Sequence, residues 1–338
     1  MVHVLSDSQF KELVTQANLA PTVHNVQPAR WRRFSTKSIE VLVDLSRTLP
    51  AADPHFMDIA LSCGCTIEGM LIALSGMGYM ADVEQMVDPS SWEQDKNQLV
   101  AVIKISEKGR GQDPLYPYTA KRYTWRSKFL PCQKEKLEEL HTWAATTLDT
   151  IIVSDANDIA QLSALNDESS LRFMSEVAYR AELVSWMRLC RKHSRYSLDG
   201  MNLEAMNMTR FEGFGASIVL GATVFPLLHF LGLTKILLSE KKQTTSASAI
   251  ALFHRPADES CVASGRAFYR FWLLLTKFGF ICWPMAALAD NKSTNAVCCK
   301  SYGVPDDHRF INALRLGKAP DQPSARARVP VTELICEE

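Results

Sequence analysis

The chain has 338 residues, of which 47% are apolar and 22% charged, a composition typical of a globular protein with room for about two domains. Its 37 basic and 37 acidic residues balance, so the composition gives no sign of a nucleic-acid surface. Nine irregularly spaced cysteines form no CxxC pair and no zinc-type set with histidine. This pattern predicts reduced thiols, no metal site and a cytoplasmic protein.

A capping box formed by Ser6 and Gln9 predicts the first helix, and a proline-bounded loop, Ala20–Pro28, follows that helix. The notable residues of this loop are Pro21, Thr22, Asn25 and Gln27. Side-chain amides both donate and accept hydrogen bonds, which suits the polar edge of a heteroaromatic ring. On the residues alone, a purely structural capping loop is the favoured interpretation. We expect His24, within the loop, to be structurally satisfied rather than a proton donor.

Two apolar segments, Gly64–Tyr79 and Gly265–Phe280, share one pattern: an apolar helix that ends at a glycine followed by an aromatic residue. Their apolar residues are too dense for one-sided surface helices, so we predict two buried central helices. Strand-like runs flank each helix, at Ile39–Leu45, Val100–Ser106, Ala247–Phe253 and Ile311–Gly317. The repeat predicts an α+β protein with two related halves, although chance similarity is an alternative.

A polar, turn-forming segment predicts a boundary between a first half, 1–117, and a second half, 118–338. The second half contains an uncharged stretch, 213–234, within a predicted insertion at 206–245. As one helix the stretch would extend roughly 33 Å, close to the thickness of a bilayer core, but four glycines and a proline interrupt it. We favour a lid or partner-facing element over membrane-surface contact, and membrane-surface contact over a true span.

A basic motif near the start of the second half contains Arg122, Thr124 and Arg126. In an extended chain these alternate side chains point to one face. Two guanidinium groups and a hydroxyl on one face would bind a phosphate and an electron-rich ring. On the residues alone, a solvated basic strand is the favoured interpretation.

Together these motifs resemble the FMN-dependent nitroreductases. The loop at 21–28 is similar to the family's Pro-Ser-x-x-Asn-x-Gln-Pro-Trp segment, and 122–126 to its Arg-x-Ser/Thr-x-Arg/Lys signature. Residues 51–80 resemble the family's central helix. Residues 314–320 and 326–334 resemble its closing strand and Arg-x-Pro-Leu-Glu-Glu tail. The order of the motifs most resembles the Acg-like branch, whose chains hold two nitroreductase-like halves.

The resemblance implies a nitroreductase-like fold, with each half a sheet around a long central helix and the two halves forming an intrachain pseudo-dimer. Ordinary members bind flavin between two subunits. Here the amide loop occurs only in the first half and the arginine motif only in the second, which implies one FMN per chain. The implied cofactor-binding residues are Pro21, Thr22, Asn25, Gln27, Arg122, Thr124, Arg126, Trp283, Pro284, Met285, Arg326 and Arg328.

The resemblance also implies roles for some of these residues. Arg122 and Thr124, with Arg326 or Arg328, would hold the phosphate and ribityl end. Arg126 would tune the flavin at its N1/O2 edge, and no other catalytic residue is implied, because the chemistry is borne by the flavin. The sequence departs from the family after Gln-Pro, where the usual tryptophan is missing. Trp31 either fills that place from a shifted position or leaves the pocket larger.

The implied function is that of an FMN-dependent oxidoreductase carrying out two-electron chemistry on a small, hydrophobic conjugated, quinone-like or nitro compound. NAD(P)H is the candidate electron donor. Two alternatives remain: an FMN-binding or storage protein without nicotinamide-dependent turnover, and a biosynthetic flavin dehydrogenase that uses O₂. We expect a monomeric pseudo-dimer or a homodimer with a small-molecule substrate and no nucleic-acid partner. Membrane-surface contact through 213–234 is a further candidate.

Overall fold

The structure is a computed structural model that describes residues 5–87, 89–92, 97–108, 111–320 and 326–336. Its strands are β1 (Ala29–Ser35), β2 (Ser38–Val43), β3 (Tyr79–Met86), β4 (Gln98–Lys108), β5 (Thr150–Val153), β6 (Met187–Arg188), β7 (Met201–Asn202), β8 (Ala249–Pro256), β9 (Ile281–Pro284) and β10 (His308–Gly317). Short 3₁₀ turns lie at Val23–Asn25, Leu45–Arg47 and Pro89–Ser91.

The helices are α1 (Asp7–Ala17), α2 (Met57–Gly76), α3 (Tyr116–Thr119), α4 (Lys134–Ala144), α5 (Ala156–Ser175), α6 (Val177–Trp186), α7 (Leu203–Met206), α8 (Arg210–Val219), α9 (Val224–Phe230), α10 (Thr234–Leu237), α11 (Lys241–Thr244), α12 (Cys261–Lys277), α13 (Ala287–Asp290), α14 (Lys292–Tyr302) and α15 (Val331–Leu334). The predicted capping box of α1 is confirmed: Ser6 N donates to Gln9 Oε1 at 2.9 Å, and Gln9 N donates to Ser6 Oγ at 3.3 Å.

Two four-stranded antiparallel sheets define the architecture. The first has the order β1-β2-β4-β3 and packs with α1 and α2, and the second has the order β5-β8-β10-β9 and packs with α12. Each sheet draws its strands from one predicted half. The predicted α+β class is therefore confirmed, with one antiparallel sheet and one long central helix in each half. The exact boundary at residue 117 stays a prediction.

The two central helices begin earlier than the repeat predicts, at Met57 and at Cys261. Both end as predicted, at glycines in the left-handed region: φ is +80° at Gly78 and +91° at Gly279. The buried side chains cover most of the length of α2, which therefore lies inside the protein rather than on its surface.

Helices α2 and α12 pack against each other, backbone to backbone, at two glycines of the repeat. A Cβ on Gly64 would lie 2.1 Å from the carbonyl oxygen of Val262, and a Cβ on Gly265 would lie 2.1 Å from that of Leu61. The neighbouring atoms belong to helical backbones that cannot move independently. Glycine at both positions is therefore a requirement for the contact between the halves.

The uncharged stretch 213–234 does not form one helix. It is divided among α8, α9 and α10, and α8 and α9 meet at an angle of 76°. In the described chain, only α2 is by itself long and apolar enough to cross a bilayer, and 78% of its most apolar 18-residue window is buried in the protein. The bent α8–α9 pair would reach that length and apolar character only if both helices were counted as one broken span. Glycine and proline in the stretch interrupt the helix, as their backbone preferences predict.

The glycine contact between the central helices predicts a matched pair of mutational effects. Gly64→Ala should lower the free energy of unfolding by about 2 kcal/mol or more, since overpacking here meets backbone rather than a flexible side chain. Gly215→Ala, within α8, is the control: its Cβ would meet nothing within 4 Å, and the better helix former should stabilise by up to about 1 kcal/mol. Urea denaturation measures both. Equal effects in the two variants would contradict this account of the helix pair.

Candidate functional site

A cavity of about 500 Å³ is lined by residues from both halves. Ten of the twelve predicted site residues line it: Pro21, Thr22, Asn25, Arg122, Thr124, Arg126, Trp283, Pro284, Arg326 and Arg328. The structure thus brings together four segments that lie far apart in the sequence. The role of each residue toward a cofactor stays a prediction.

The two other predicted residues, Gln27 and Met285, do not line this cavity. The Gln27 side chain is buried behind the loop, where its Nε2 donates to Leu198 O at 2.9 Å and its Oε1 accepts from Val329 N at 2.9 Å. Met285 packs in a hydrophobic core of the second half, beside Phe310. Gln27 therefore fixes the loop, whereas Met285 lies in a core away from the cavity, and contact of either residue with a cofactor stays a prediction.

The amide loop has an unusual backbone that is fastened to the second half. φ is positive at His24 (43°), Asn25 (56°) and Gln27 (51°), values that non-glycine residues rarely adopt. Asn25 Nδ2 donates to Gly200 O at 3.0 Å and to Ala327 O at 3.2 Å. Asn25 Oδ1 accepts from Arg328 Nη1 at 2.9 Å. The amide of Asn25 is thus used to join the halves, which offsets the strain of the loop.

The basic motif lies against β9 in an extended conformation. Thr124 pairs with Cys282 in a parallel bridge, and Trp125 N donates to Cys282 O at 3.1 Å. The two arginines are anchored through carbonyl groups: Arg122 Nη2 donates to Leu19 O at 2.8 Å, and Arg126 Nη1 donates to Ala205 O at 2.8 Å. Arg122 is only 3% exposed. The solvated-strand alternative therefore does not describe this segment.

Arg122, Arg326 and Arg328 form what we term the arginine cluster. Arg326 Nη2 donates to the carbonyl oxygen of Arg122 at 2.6 Å and to that of Ala120 at 2.7 Å. Arg328 Nη2 donates to Leu19 O at 3.3 Å, the same carbonyl that Arg122 uses. The tail of the second half is thereby held against the basic motif.

The positive charge of the arginine cluster is not compensated within the described chain. No described carboxylate forms an ion pair with these three side chains. Burial, followed by repulsion from Arg122, lowers the pKa of Arg326 to about 10 and that of Arg328 to about 9. The Nε atoms of Arg122 and Arg328 are buried with no hydrogen-bond partner among the described residues. Buried charges and donors of this kind are normally satisfied, so the cluster is suited to an anionic ligand.

His24 lies on the cavity wall beside Arg126. Its Nδ1 is buried and finds no hydrogen-bond partner in the described chain, so the structure does not show this atom satisfied as we expected. Burial, and then the charge of Arg126, lowers its pKa to about 4. The imidazole is neutral at physiological pH and can exchange a hydrogen bond with a ligand, but it is not an imidazolium acid.

Segment Gly200–Asn207 forms another wall of the cavity, through Gly200, Met201, Glu204, Ala205 and Asn207. The fully buried carboxylate of Asp199 fixes the start of this segment, because Arg47 Nη2 of the first half donates to it at 2.7 Å. Burial by itself would raise the pKa of Asp199, but hydrogen bonds from Arg47 and Arg195 outweigh it, so the pKa lies below its usual range. No described residue from 208 to 245 lines the cavity, so a lid function of 206–245 stays a prediction.

Two carboxyl groups on the cavity wall were not predicted from the sequence. Asp58 lies in the first turn of α2 and Asp290 at the end of α13, next to Tyr179. Burial and repulsion between carboxyl groups raise the pKa values of Asp58 and Asp290. No motif marks either residue, and 232 positions of chain separate them, so only the fold shows that they share a wall.

Trp31 does not take the place of the tryptophan that the family has after Gln-Pro. Trp31 is fully buried in the hydrophobic core of the first half and does not line the cavity, so the shifted-indole alternative is wrong. Trp272 of α12 lines it instead, with the Arg122 guanidinium 4.8 Å from its ring centroid. Its position in the repeat was the only sequence signal for this residue.

No family model matches the chain. A putative NAD(P)H nitroreductase of Mycobacterium tuberculosis is 35% identical over 87 residues, which cover 26% of this chain and 25% of that protein. An uncharacterized protein of the same organism is 26% identical over 191 residues, 52% of each chain. The alignments thus span about a quarter to about half of these curated relatives. They confirm the resemblance that the motifs indicate: these segments of the chain are similar to putative NAD(P)H nitroreductases.

Within that group, the particular resemblance to Acg is also found. The putative NAD(P)H nitroreductase Acg of M. tuberculosis is 31% identical over 81 residues, 24% of each chain. Among solved structures, the FMN- and NADPH-dependent nitroreductase NfnB of a Sphigopyxis strain is 13% identical, with a TM-score of 0.36 over 67% of this chain and 99% of that one. A superposition this loose carries no correspondence between residues.

Proposed function

We propose that the chain is an FMN-dependent oxidoreductase that binds one FMN in the cavity between its halves. The observation that carries the proposal is the arginine cluster: the buried Arg122 and the half-buried Arg326 and Arg328 line one cavity and have no carboxylate partner in the described chain. A phosphate monoester would compensate that charge. The nitroreductase relatives supply the chemical class of the cofactor.

Three features of the cavity fit a flavin mononucleotide. Its volume of about 500 Å³ lies within the range of roughly 300–1,000 Å³ typical of cofactor pockets. The unpartnered Nε donors of Arg122 and Arg328 would be satisfied by phosphate oxygens. Aromatic side chains, including Trp272 and Trp283, line the same cavity and suit a flat ring system.

The residues of the chain then take the following roles. Arg122, Arg326 and Arg328 hold the phosphate, and Thr124 holds the adjoining ribityl chain. Arg126 and neutral His24 lie side by side and contact the polar edge of the ring. When bound, FMN supplies reversible two-electron transfer. The substrate is a small, hydrophobic conjugated, quinone-like or nitro compound, and the names of the curated relatives make NAD(P)H the candidate electron donor.

Removing one guanidinium from the cluster should weaken FMN binding without unfolding the protein. We expect Arg122→Ala to raise the Kd for FMN on the order of 10- to 100-fold, the loss of one charge-assisted hydrogen bond. The Kd of Arg122→Lys, which keeps the charge, should lie between those of the wild type and of Arg122→Ala. Arg33→Ala is the matched control, because Arg33 pairs with exposed Asp7 outside the cavity. Flavin fluorescence titration measures each Kd, and circular dichroism checks the fold.

An unchanged Kd in Arg122→Ala would show that the phosphate does not bind at the cluster.

Reduction of the flavin in the same titrated samples distinguishes an enzyme from a storage protein. Bleaching of the flavin by NADPH or NADH, with recovery on addition of a quinone, supports the oxidoreductase. Bleaching by dithionite alone, with no response to either nicotinamide, would contradict nicotinamide-dependent turnover.

For its location, we propose a cytoplasmic protein; contact of α8–α10 with a membrane surface is the alternative to a lid or partner-facing role, and one observation favours it. This segment exposes nine large apolar side chains between Phe211 and Leu237, with Phe211 85% and Phe230 87% exposed. Arg210, Lys235, Lys241 and Lys242 are exposed around them. Short helices with an exposed apolar face and basic flanks are suited to the interface of an anionic bilayer.

Vesicle flotation tests this contact. Wild type should float with vesicles of phosphatidylglycerol and phosphatidylcholine, and the Phe211→Ser, Phe230→Ser double variant should remain at the bottom of the gradient. Phe34→Ser is the control, since Phe34 is 66% exposed far from this segment in the sequence, and it should float like wild type. Wild type that stays at the bottom, particularly with a concentration-dependent dimer in sedimentation, would contradict membrane contact and favour a second copy as the partner.

A further inference from the structure

Arg315 is a fully buried arginine on strand β10 of the second sheet. Its neighbours on the strand, Leu314 and Leu316, pack into the hydrophobic core that contains α12. Because side chains alternate along a strand, Arg315 points to the opposite face of the sheet. There it lies directly across from Trp283, its partner in the register of β10 and β9. A charged group that is removed from water is costly, so its surroundings must stabilise it.

Two groups stabilise the guanidinium of Arg315. Its Nη2 donates to Glu240 Oε2, and its Cζ lies 4.1 Å from the centroid of the Trp283 ring. Its Nε and Nη1 are buried and have no hydrogen-bond partner among the described residues. We term Arg315 and Glu240 the charge pair. The Glu240 side chain is 37% exposed and that of Arg315 is not exposed at all, so water screens the negative member of the pair more than the positive one.

Trp283 connects the charge pair to the cavity. Trp283 lines the cavity, whereas Arg315 and Glu240 do not. Arg126, on the cavity wall, is influenced by the same two charges. Burial is the main reason that the pKa of Arg126 falls to about 10, while Glu240 opposes that fall and Arg315 adds to it. The charge pair therefore acts electrostatically on the part of the cavity that holds Arg126, although neither member is on the cavity wall.

We propose that Arg315 and Glu240 are positioning residues that set the electron affinity of the bound flavin through Trp283 and Arg126. Reduction of a flavin adds negative charge at its N1/O2 edge, and a buried cation nearby stabilises that charge. Arg315 holds the Trp283 ring at the cavity and favours the reduced flavin, and Glu240 limits that preference. The proposal rests on the proposed function, which puts the polar edge of the flavin ring beside Arg126.

The reduction potential of bound FMN tests the proposal, because it reports the ratio of the Kd values for oxidised and reduced FMN. Equilibrium reduction of the FMN-loaded full chain by xanthine and xanthine oxidase, with a reference dye, measures it. Arg315→Gln should weaken the binding of reduced relative to oxidised FMN about tenfold, which lowers the two-electron potential by about 30 mV. Glu240→Gln should shift the ratio about threefold in the opposite direction, because it leaves Arg315 uncompensated.

Two further variants separate charge from packing. Arg315→Lys keeps the charge, so its potential should lie closer to that of the wild type than the potential of Arg315→Gln does. Arg255→Gln is the matched control: Arg255 lies on β8 of the same sheet, forms ion pairs with Asp149 and Glu259, and does not line the cavity. It should keep the wild-type potential.

Three results would overturn the inference: an unchanged potential in Arg315→Gln and Glu240→Gln, shifts of the same sign in both, or an Arg315→Lys potential equal to a lowered one in Arg315→Gln. If Arg315→Gln does not fold, the sign of the shift in the half-exposed Glu240→Gln decides, and no rise there overturns the inference. Failure of the wild type to bind FMN contradicts the proposed function itself, whereas bound FMN with an unshifted potential contradicts the inference alone.

Discussion

The contact between helices α2 and α12 is the constraint on which the rest of the molecule depends. Their backbones approach so closely at Gly64 and Gly265 that even a methyl group would collide with a carbonyl oxygen. This approach fixes the two sheets on either side of the helix pair and brings the loop at 21–28 to the basic motif at 122–126. The cavity is a consequence of the contact, because neither half has enough of the lining residues to form it alone.

The cavity also carries an electrostatic cost that the fold does not remove. Like charges lie together in the arginine cluster, and burial makes their repulsion stronger than it would be in water. Such groups are retained where a ligand compensates them. A bound anion would do so, which is the physical link between the cluster and the proposed cofactor.

The sequence predicted those features that depend on local chemistry. Glycine at a helix end requires a left-handed conformation whatever the surroundings, so Gly78 and Gly279 marked two helix ends correctly. The side chains of Arg122 and Arg126 converge with those of Arg328 and Asn25, as the family motifs implied. The carboxyl groups of Asp58 and Asp290 could not be paired in advance, because their proximity is created by the packing of the two halves. The place of Met285 depends on packing for a related reason: its backbone follows a strand beside the cavity, but its side chain belongs to a hydrophobic core.

One measurement tests the central claim most directly: the number of FMN molecules bound per chain, from the flavin absorbance of purified protein saturated with FMN and then freed of excess. One composite cavity, with its amide loop from the first half and its arginine cluster from the second, predicts one FMN per chain. A ratio of two would mean that the repeat has kept a second working site. A ratio of zero would mean that the uncompensated arginines serve another anion.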